Sequence, residues 1–323
     1  MESVCAVVVT YNRKSLLIEC LEALRTQTRP VQGIVILDNN STDGTPELLL
    51  ERGYISELPP NELTEPWEHF RLVSNYLDKE SIKVHYVRMS ENTGGAGGFH
   101  HGVRIAFENN YDWIWVMDDD CEPQKETLER LLYNANENIS CLCPVIVHKH
   151  SGEVEYYHHK VFNSVMDDTP VLNSKDIEDF RGKVLELDAN AFGGPLIRRS
   201  AIGIAGFPEA SLFIWGDDTE YTHRIKKKVG KVVLVGSSIM YHKDNPYQKV
   251  ISKQHISRVY YFYRNRLWLI KSYARYNLLA YLYWLYRSIR HSLSLLLKHN
   301  AGVSSFIPLK GFFAGIFKTY RRK

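Results

Sequence analysis

The sequence alternates between apolar, β-branched runs and segments with helical spacing, and this alternation most restricts the possible fold. The apolar runs are "VCAVVVTYN" (4–12), "GIVILDNNS" (33–41), "VHYVRMS" (84–90) and "DWIWVMD" (112–118). Continuous apolar runs of this kind are typical of strands that are buried on both faces of a parallel sheet. Helical patterns lie between them at 14–28, after Pro46 and at 102–110. We therefore predict an α/β fold with a doubly wound, mostly parallel sheet.

Polar residues follow each of these predicted strands. In a doubly wound sheet the ligand lies beyond the carboxyl ends of the strands. The residues predicted at that edge are Tyr11–Arg13, Asp38, the loop after Met89, and Asp118–Asp120. The sequence thus predicts a single ligand site to which four strands contribute.

The stretch "IWVMDDDCEP" (114–123) places three carboxylates directly behind a buried strand. An extended backbone would put Asp118 and Asp120 on one side and Asp119 on the other. Two carboxylates facing a cleft suit a hard divalent cation, which takes oxygen ligands and shares them with substrate phosphates. A solvated turn after the strand is an alternative that the triplet by itself leaves open.

The stretch "NTGGAGGFHHG" (92–102) lies between a predicted strand and a predicted helix. It is not the dinucleotide-binding fingerprint, because His100 stands where the third glycine would be. Its glycines would let the backbone approach a ligand closely, and the helix that follows presents an N-terminus that favours phosphate. A merely flexible loop is the alternative interpretation.

The stretch "FIWGDDTEYTHR" (213–224) opens a predicted helix with Asp217, Asp218 and Glu220. The helix dipole favours acidic residues at that end, which explains one of these acids more readily than all three. A carboxylate in a cleft beside a metal site is a candidate general base.

His242 follows a strand-like run and, taken alone, is interpreted as structural. We interpret the histidine pairs at 100–101 and 158–159 as loop residues.

Other segments carry weaker signals. Residues 54–81 are polar and contain Pro59-Pro60, which predicts an insertion with a short helix, and residues 148–190 predict an irregular, β-rich excursion. The five cysteines lack the spacing of a disulfide framework, so we expect reduced thiols. The opening "MESVCAVVVTYNR" has no basic region before its apolar run and predicts a first strand rather than a secretion signal.

The net charge of +3 conceals a strong asymmetry. Residues 245–323 contain 15 Lys or Arg and no Asp or Glu, whereas residues 1–244 contain 25 basic and 37 acidic residues. Such segregation indicates an anionic partner, either nucleic acid or a membrane surface. The basic tail carries no helix-turn-helix or RNP-type motif, which disfavours nucleic acid. Its longest uncharged run, 276–286, is shorter than the roughly 18–20 residues that span a bilayer.

Six motifs in order resemble those of the inverting nucleotide-sugar glycosyltransferases of family 2. They are "VVVTYNR", "LDNNSTDGT", "NTGGAGGF", "WVMDDDCEP", "FIWGDDTEY" and "YHK". The resemblance covers about residues 3–245 and implies a GT-A-type fold with a Rossmann-like nucleotide-binding half. Within the family the chain looks most like bacterial galactofuranosyltransferases, which use UDP-galactofuranose to build polysaccharides. The dTDP-rhamnose transferases, or other hexosyltransferases on this fold, are the alternative.

The resemblance implies a role for each matching residue. The uridine pocket would be lined by Thr10, Tyr11, Arg13 and Asp38. The diphosphate and donor sugar would contact Asn92, Gly95 and Asp119. The ligands of a bound Mn²⁺ or Mg²⁺ would be Asp118, Asp120 and His242. The catalytic base would be Asp218, with Asp217 as the alternative. A non-catalytic homologue would be expected to lose one of Asp118, Asp120, Asp218 or His242, and all four are present.

We expect two regions, a glycosyltransferase domain over 1–245 and a basic, aromatic helical region over 246–323. Basic helices with interleaved Tyr, Trp and Leu suit an anionic membrane interface. A transferase acting on glycans linked to polyprenyl diphosphate would need that proximity. We therefore expect peripheral attachment to the inner leaflet, at the cytoplasmic face of the cell membrane. Packing of these helices in a homo-oligomer is the alternative.

Overall fold

The computed structural model of the chain describes residues 2–243, 253–299 and 302–317. The strands are β1 (Val4–Thr10), β2 (Gly33–Asp38), β3 (Trp67–Ser74), β4 (Ser81–Arg88), β5 (Trp113–Asp118), β6 (Cys121–Pro123), β7 (Ile139–His148), β8 (His159–Phe162), β9 (Asp168–Pro170), β10 (Val184–Leu187), β11 (Ala189–Asn190), β12 (Gly193–Arg198) and β13 (Lys231–His242). The helices are α1 (Lys14–Leu24), α2 (Thr45–Glu51), α3 (Gly94–Glu108), α4 (Thr127–Tyr133), α5 (Arg199–Ala205), α6 (Asp217–Lys228), α7 (Lys253–Tyr273), α8 (Asn277–His299) and α9 (Ile307–Phe317).

A ten-stranded mixed sheet forms the centre of the molecule, in the order β10-β13-β7-β12-β5-β1-β2-β4-β3, with β6 paired to β13. Strands β5, β1, β2 and β4 are mutually parallel, as the apolar runs predicted. Their register aligns Thr10 with Asp38, Val9 with Asp118, and Asp38 with Arg88. The polar residues at the ends of these strands therefore lie along one edge of the sheet.

Strand β1 explains why the apolar runs are continuous. Val4, Ala6 and Val8 belong to the core on one face of the sheet, while Cys5 and Val7 belong to the core on the other. A strand covered on both faces has no solvent side, so successive residues are all apolar. All five cysteines are buried and free in this structure, and reduced thiols stay a prediction.

The glycine-rich stretch forms the first turns of α3, which begins at Gly94 rather than at residue 102 as predicted. Gly98 and Gly102 bring the helix axis close to the sheet. A Cβ atom at Gly98 would lie 2.6 Å from Val9, and one at Gly102 would lie 2.5 Å from Val7. Two of the glycines therefore serve helix–sheet packing. The same helix contains His100 and His101, so their assignment to a loop was wrong.

Residues 54–81 form an edge strand rather than the predicted short helix. Within this stretch β3 pairs antiparallel with β4, from Trp67 opposite Arg88 to Ser74 opposite Ser81. The excursion at 148–190 is β-rich as predicted and forms a separate sheet in the order β11-β8-β9. His159 begins β8 and is fully buried, so the assignment of the 158–159 pair to a loop was wrong for this residue.

The C-terminal region is helical, as predicted. Apolar side chains of α7, α8 and α9, including Leu267, Ile270, Trp284 and Phe312, form a third core, to which Met166 of the 148–190 segment also belongs. No helix within the described residues is long and apolar enough to cross a membrane. The predicted domain boundary at 245/246 lies outside the described residues.

His159 makes the second sheet sensitive to acid. Its Nε2 accepts a hydrogen bond from the Ile146 N–H at 3.2 Å, so Nδ1 carries the proton and donates to Asn190 Oδ1 at 2.7 Å. Both ring nitrogens are therefore engaged by the neutral form. Burial lowers the pKa of His159 from about 6.5 to about 3, because the charged ring would lose its hydration and the bond from Ile146.

We expect the wild-type free energy of unfolding to fall as the pH drops from about 6.5 toward 3. Over this interval the unfolded chain binds a proton at His159 that the folded chain does not. The His159→Gln variant should lose less stability between roughly pH 6.5 and pH 4, by on the order of 2 kcal/mol. Urea titrations at several pH values would measure this. The exposed His150, replaced by Gln, is the control, and equal pH slopes for all three proteins would contradict the prediction.

Candidate active site

The ends of β1 and β5 are joined by hydrogen bonds between side chains. Thr10 Oγ1 donates to Asp119 Oδ2 at 2.7 Å. Arg13 Nη1 donates to Asp120 Oδ2 at 2.5 Å and lies 3.4 Å from Asp119 Oδ1. Tyr11 lies on the loop between β1 and α1, and its side chain is 45% exposed. Its backbone forms a hydrogen bond with Asp119. The first motif of the sequence therefore lies directly against the aspartate triplet.

The three aspartates have different surroundings. Asp118 reaches solvent, whereas Asp119 and Asp120 are 3% and 4% exposed. Desolvation in the cleft and the charges of Asp120 and Asp119 raise the pKa of Asp118. Burial and the charge of Asp120 raise the pKa of Asp119 to about 7, although Arg13 and Thr10 oppose this. Arg13 and the hydrogen bond from Thr10 offset only part of this crowded negative charge.

His242 lies beside Asp120, although the two residues are far apart in the sequence. Strand β13 pairs antiparallel with β6, which places His242 opposite Cys121. The imidazole Nε2 is 3.5 Å from Asp120 Oδ1, and Nδ1 is 2.7 Å from Glu155 Oε2. Burial opposes a charge on the ring, but the neighbouring carboxylates of Asp120 and Glu155 outweigh this and raise the pKa of His242 to about 10. Burial likewise opposes ionisation of Asp120, but His242 and Arg13 hold its pKa below the ordinary value.

The residues at this edge fit a divalent cation. Asp118, Asp120 and His242 offer two carboxylates and an imidazole nitrogen. Mn²⁺ binds both kinds of ligand, whereas Mg²⁺ prefers the carboxylate oxygens. Asp120 Oδ1 is buried and has no hydrogen-bond partner among the described residues. A buried carboxylate oxygen without a donor is costly, and a bound cation would satisfy it.

Asp38 is fully buried at the end of β2. Its Oδ2 accepts hydrogen bonds from Tyr86 at 2.7 Å and Arg88 at 2.8 Å, and its Oδ1 accepts one from the Ser41 N–H at 2.8 Å. These bonds fix the carboxylate and shape the loop after β2. A contact between Asp38 and a nucleobase stays a prediction.

The N-terminal turn of α3 is built for close approach. Asn92 Oδ1 accepts a hydrogen bond from the Gly94 N–H at 2.8 Å. Gly94 has φ +74°, and a Cβ atom there would lie 2.1 Å from the Phe213 carbonyl oxygen. Gly95 differs, since a Cβ atom there would meet no atom within 4 Å. The backbone at Gly95 is therefore open to a ligand.

The loop before α6 has an unusual backbone conformation. Phe213, Trp215 and Gly216 have φ values of +65°, +61° and +94°. Two of these are bulky residues in a conformation that favours glycine, so other contacts must hold the loop in place. The Phe213 carbonyl accepts a hydrogen bond from the Ala96 N–H of α3 at 3.1 Å.

Helix α7 supplies the remaining contacts of this loop. Asn265 Nδ2 lies 3.0 Å from the carbonyl oxygens of Leu212 and Ile214 and 2.6 Å from that of Trp215. Arg264 Nη2 donates to the carbonyls of Ser211 and Leu212 at 3.0 and 2.8 Å. The C-terminal region thus determines the position of the loop that precedes the two candidate bases.

Asp217 and Asp218 begin α6 in different environments. Asp217 is 6% exposed, and burial together with the charge of Asp218 raises the pKa of Asp217 to about 8. Asp218 is half-buried, and its Oδ1 accepts the Thr219 N–H at 2.5 Å. The charge of Asp217 also contributes to the raised pKa of Asp118, so the two acidic motifs face the same region.

Glu220, the third acid of this helix, has a structural role. It forms a buried ion pair with Arg224, with Oε2 2.8 Å from Nη2. Tyr273 of α7 donates a hydrogen bond to its Oε1 at 2.9 Å. Glu220 therefore links α6 to the C-terminal region and is not placed to act as a base.

The glycosyl transferase family 2 model matches residues 5–54 and 71–203. The chain therefore belongs to glycosyl transferase family 2, and its fold is the GT-A fold. The match includes the ends of β1, β2 and β5 and the beginning of α3.

A curated relative is the galactofuranosyltransferase GlfT1 of Mycolicibacterium smegmatis, which is 27% identical over 226 residues. The alignment covers 69% of this chain and 65% of that protein, slightly less than two thirds of its length. GlfT1 of Mycobacterium tuberculosis is 26% identical over 227 residues, covering 69% of this chain and 64% of that protein.

A solved structure with this fold is GalNAc-T7 with UDP, GalNAc and Mn²⁺, which has a TM-score of 0.61 and 16% identity and covers 89% of this chain and 51% of that one.

The structure brings together most of the residues named from the sequence, and it adds others. Arg13, Thr10, His242 and the aspartate triplet form one connected group. Sequence reasoning missed Glu155, which lay in the segment that was difficult to interpret, and it gave no role to Asn265. Asn265 lies in the aromatic, basic run "YYFYRNR" (260–266), and this run is the sequence signal that could have led to it.

We expect the Asn265→Ala variant to transfer sugar about 10- to 100-fold more slowly, because the loop before Asp217 would lose its fixed position. The donor KM should change by less than about threefold, since the nucleotide side of the site is built by other elements. Steady-state kinetics would measure both. The exposed Ser272 of the same helix, replaced by Ala, is the control. A normal kcat for Asn265→Ala would contradict the assigned role.

Proposed function

We propose that the protein is a metal-dependent, inverting galactofuranosyltransferase. It would transfer galactofuranose from UDP-galactofuranose to a hydroxyl of a lipid-linked or polysaccharide acceptor in bacterial cell-surface glycan synthesis. The observation that supports the proposal is the group of Arg13, Asp120 and His242 at the ends of the strands, together with the effect of the Asp217 charge on Asp118. The names of the curated relatives support the choice of donor. A dTDP-rhamnose-dependent or other hexosyl transferase on the same fold is the second candidate.

The donor would bind along the ends of the parallel strands. Thr10, Tyr11, Arg13 and Asp38 would surround the uridine. Asn92 and Gly95 would lie against the diphosphate, where the helix N-terminus of α3 favours negative charge and Gly95 leaves the backbone accessible. Asp119 would contact the donor sugar. Asp118, Asp120 and His242 would hold Mn²⁺ or Mg²⁺, and the chemistry that such an ion supplies is positive charge opposite the departing diphosphate.

The reaction needs one base. The acceptor oxygen would attack the anomeric carbon, its proton would pass to the carboxylate of Asp218, and the electrons of the broken C–O bond would leave with UDP. Asp218 is the more accessible of the two candidates, because its side chain reaches solvent whereas Asp217 is buried. Asp217, whose pKa is raised to about 8, would hold a proton near neutral pH and is the second candidate.

We expect the purified protein with Mn²⁺ to transfer sugar from UDP-galactofuranose to a polyprenyl-diphosphate-linked acceptor faster than from UDP-galactopyranose or dTDP-rhamnose. The Asp218→Asn variant should lose turnover by about 10³-fold, because it removes the group that accepts the proton. Its UDP affinity should stay within about threefold of the wild type. Mass spectrometry of the product and calorimetry with UDP would measure these effects.

Preference for dTDP-rhamnose would contradict the choice of donor and leave the fold-level assignment in place. If Asp217→Asn is inactive and Asp218→Asn is active, the base is Asp217. The Asp78→Asn variant is a control for the loss of a carboxylate, because Asp78 is exposed in the turn between β3 and β4, away from the carboxyl ends of the parallel strands.

We propose further that α8 rests on the inner leaflet of the cell membrane, at its cytoplasmic face, which would bring the site close to a lipid-linked acceptor. Exposed apolar side chains form a stripe at helical spacing along α8. They are Leu278, Leu279, Leu282, Tyr286, Ile289, Leu293, Leu296 and Leu297. Arg290 is exposed beside the stripe, and no acidic residue occurs after residue 244. An apolar stripe on a basic, acid-free segment matches an anionic lipid surface.

We expect the wild type to sediment with vesicles that contain phosphatidylglycerol at physiological salt. The double variant Leu282→Glu and Leu293→Glu should bind at least about tenfold less, because it removes apolar area and adds repulsion from the lipid. A matched control places two glutamates at exposed apolar positions elsewhere, Ile204 and Leu77. If the α8 variant binds vesicles normally but changes a dimer into a monomer in gel filtration, the stripe is a subunit interface instead.

A further inference from the structure

The chain after β7 folds back to place a buried carboxylate behind His242. Strand β7 is parallel to β13 and aligns His148 with His242. The chain then turns, and the Glu155 N–H donates to the Ile146 carbonyl at 2.9 Å. Glu155 is 4% exposed at this position. Its backbone is thus fixed to β7, with its side chain directed toward the end of β13.

The carboxylate of Glu155 lies against two imidazoles. Its Oε2 is 2.7 Å from His242 Nδ1, a hydrogen-bond distance, and 3.3 Å from His158 Nε2. A buried carboxylate is costly without partners, so the bond from His242 stabilises it in place.

The contact with Glu155 determines what His242 can offer on its other side. A carboxylate only accepts hydrogen bonds, so Nδ1 of His242 must carry a proton and donate it. In the form of the ring that binds a metal, Nδ1 keeps its proton and the lone pair is on Nε2. That nitrogen lies 3.5 Å from Asp120 Oδ1, the buried oxygen with no hydrogen-bond partner among the described residues.

We propose that Glu155 is a positioning residue for the metal site. Its carboxylate holds the His242 ring so that the Nε2 lone pair faces the space beside Asp120. This inference rests on the proposed function, in which His242 is a metal ligand. Carboxylates that fix a ligating histidine in this way typically change metal affinity by about 10- to 100-fold.

The alternative is that Glu155, His158 and His242 themselves coordinate a cation. One ligand atom each of Glu155, His158 and His242 lie within 4.8 Å of one another, a spacing that could surround a cation directly. The 2.7 Å hydrogen bond between Nδ1 and Oε2 favours the positioning role, because Nδ1 carries the donated proton and has no lone pair for an ion. The experiment below distinguishes the two arrangements.

The test is Mn²⁺ binding to the full-length protein, measured from the electron paramagnetic resonance signal of free Mn²⁺, with Mn²⁺ alone and with saturating UDP. We expect Glu155→Ala to weaken binding by about 10- to 100-fold. Glu155→Gln keeps an acceptor oxygen for Nδ1 and should recover part of the affinity. The matched control is Glu153→Ala, which removes an exposed carboxylate paired with Lys175 on the same segment. Asp120→Ala shows how far the Mn²⁺ affinity falls when a proposed metal ligand itself is removed.

Each outcome separates the inference from the proposed function. A wild type that binds no Mn²⁺ in either condition overturns both. Normal affinity in Glu155→Ala, with affinity lost in Asp120→Ala, overturns only the role of Glu155. Affinity lost in Glu155→Gln and His158→Gln but kept in Asp120→Ala places the ion in the histidine cluster and also overturns it. If Glu155→Ala does not fold, Glu155→Gln against Glu153→Gln gives the decisive comparison.

Discussion

Strand β5 brings three aspartates in succession to one edge of the sheet, where protein atoms exclude most water from Asp119 and Asp120. Carboxylates placed side by side repel one another, and burial strengthens the repulsion. Arg13, which follows β1, and His242, at the end of β13, each form an ion pair with Asp120. The meeting of β1, β5 and β13 at this edge is therefore constrained by charge as well as by apolar packing.

The C-terminal helices are part of this arrangement. Asn265 and Arg264 bond the carbonyls of the loop before α6, and Tyr273 bonds Glu220 within α6. The same loop contacts the first turn of α3 through the Phe213 carbonyl. A single loop thus lies between the helix that faces the proposed diphosphate position and the helix that follows the glycosyltransferase domain.

The sequence was sufficient to predict the parallel strands and the acidic groups at their ends, because burial on both faces of a sheet leaves a continuous apolar signature. It misplaced the start of α3, since glycines disfavour a helix by about 1 kcal/mol each and the packing of Gly98 on Val9 is a tertiary effect. Glu155 could not be connected to His242, because the contact spans 87 residues and passes through irregular chain. The roles assigned to Asp38, Asp218 and the metal ligands stay predictions.

The apolar stripe and the loop-holding residues lie on consecutive helices. The exposed apolar residues of α8, such as Leu282 and Leu293, face outward, while Asn265 of α7 bonds the loop before α6. Substitutions on the outer face of α8 can therefore alter the proposed membrane contact without touching the residues that hold this loop. The proposed membrane contact of α8 and the proposed catalytic site can therefore change independently in evolution, provided that α7 keeps its contacts with the loop before α6.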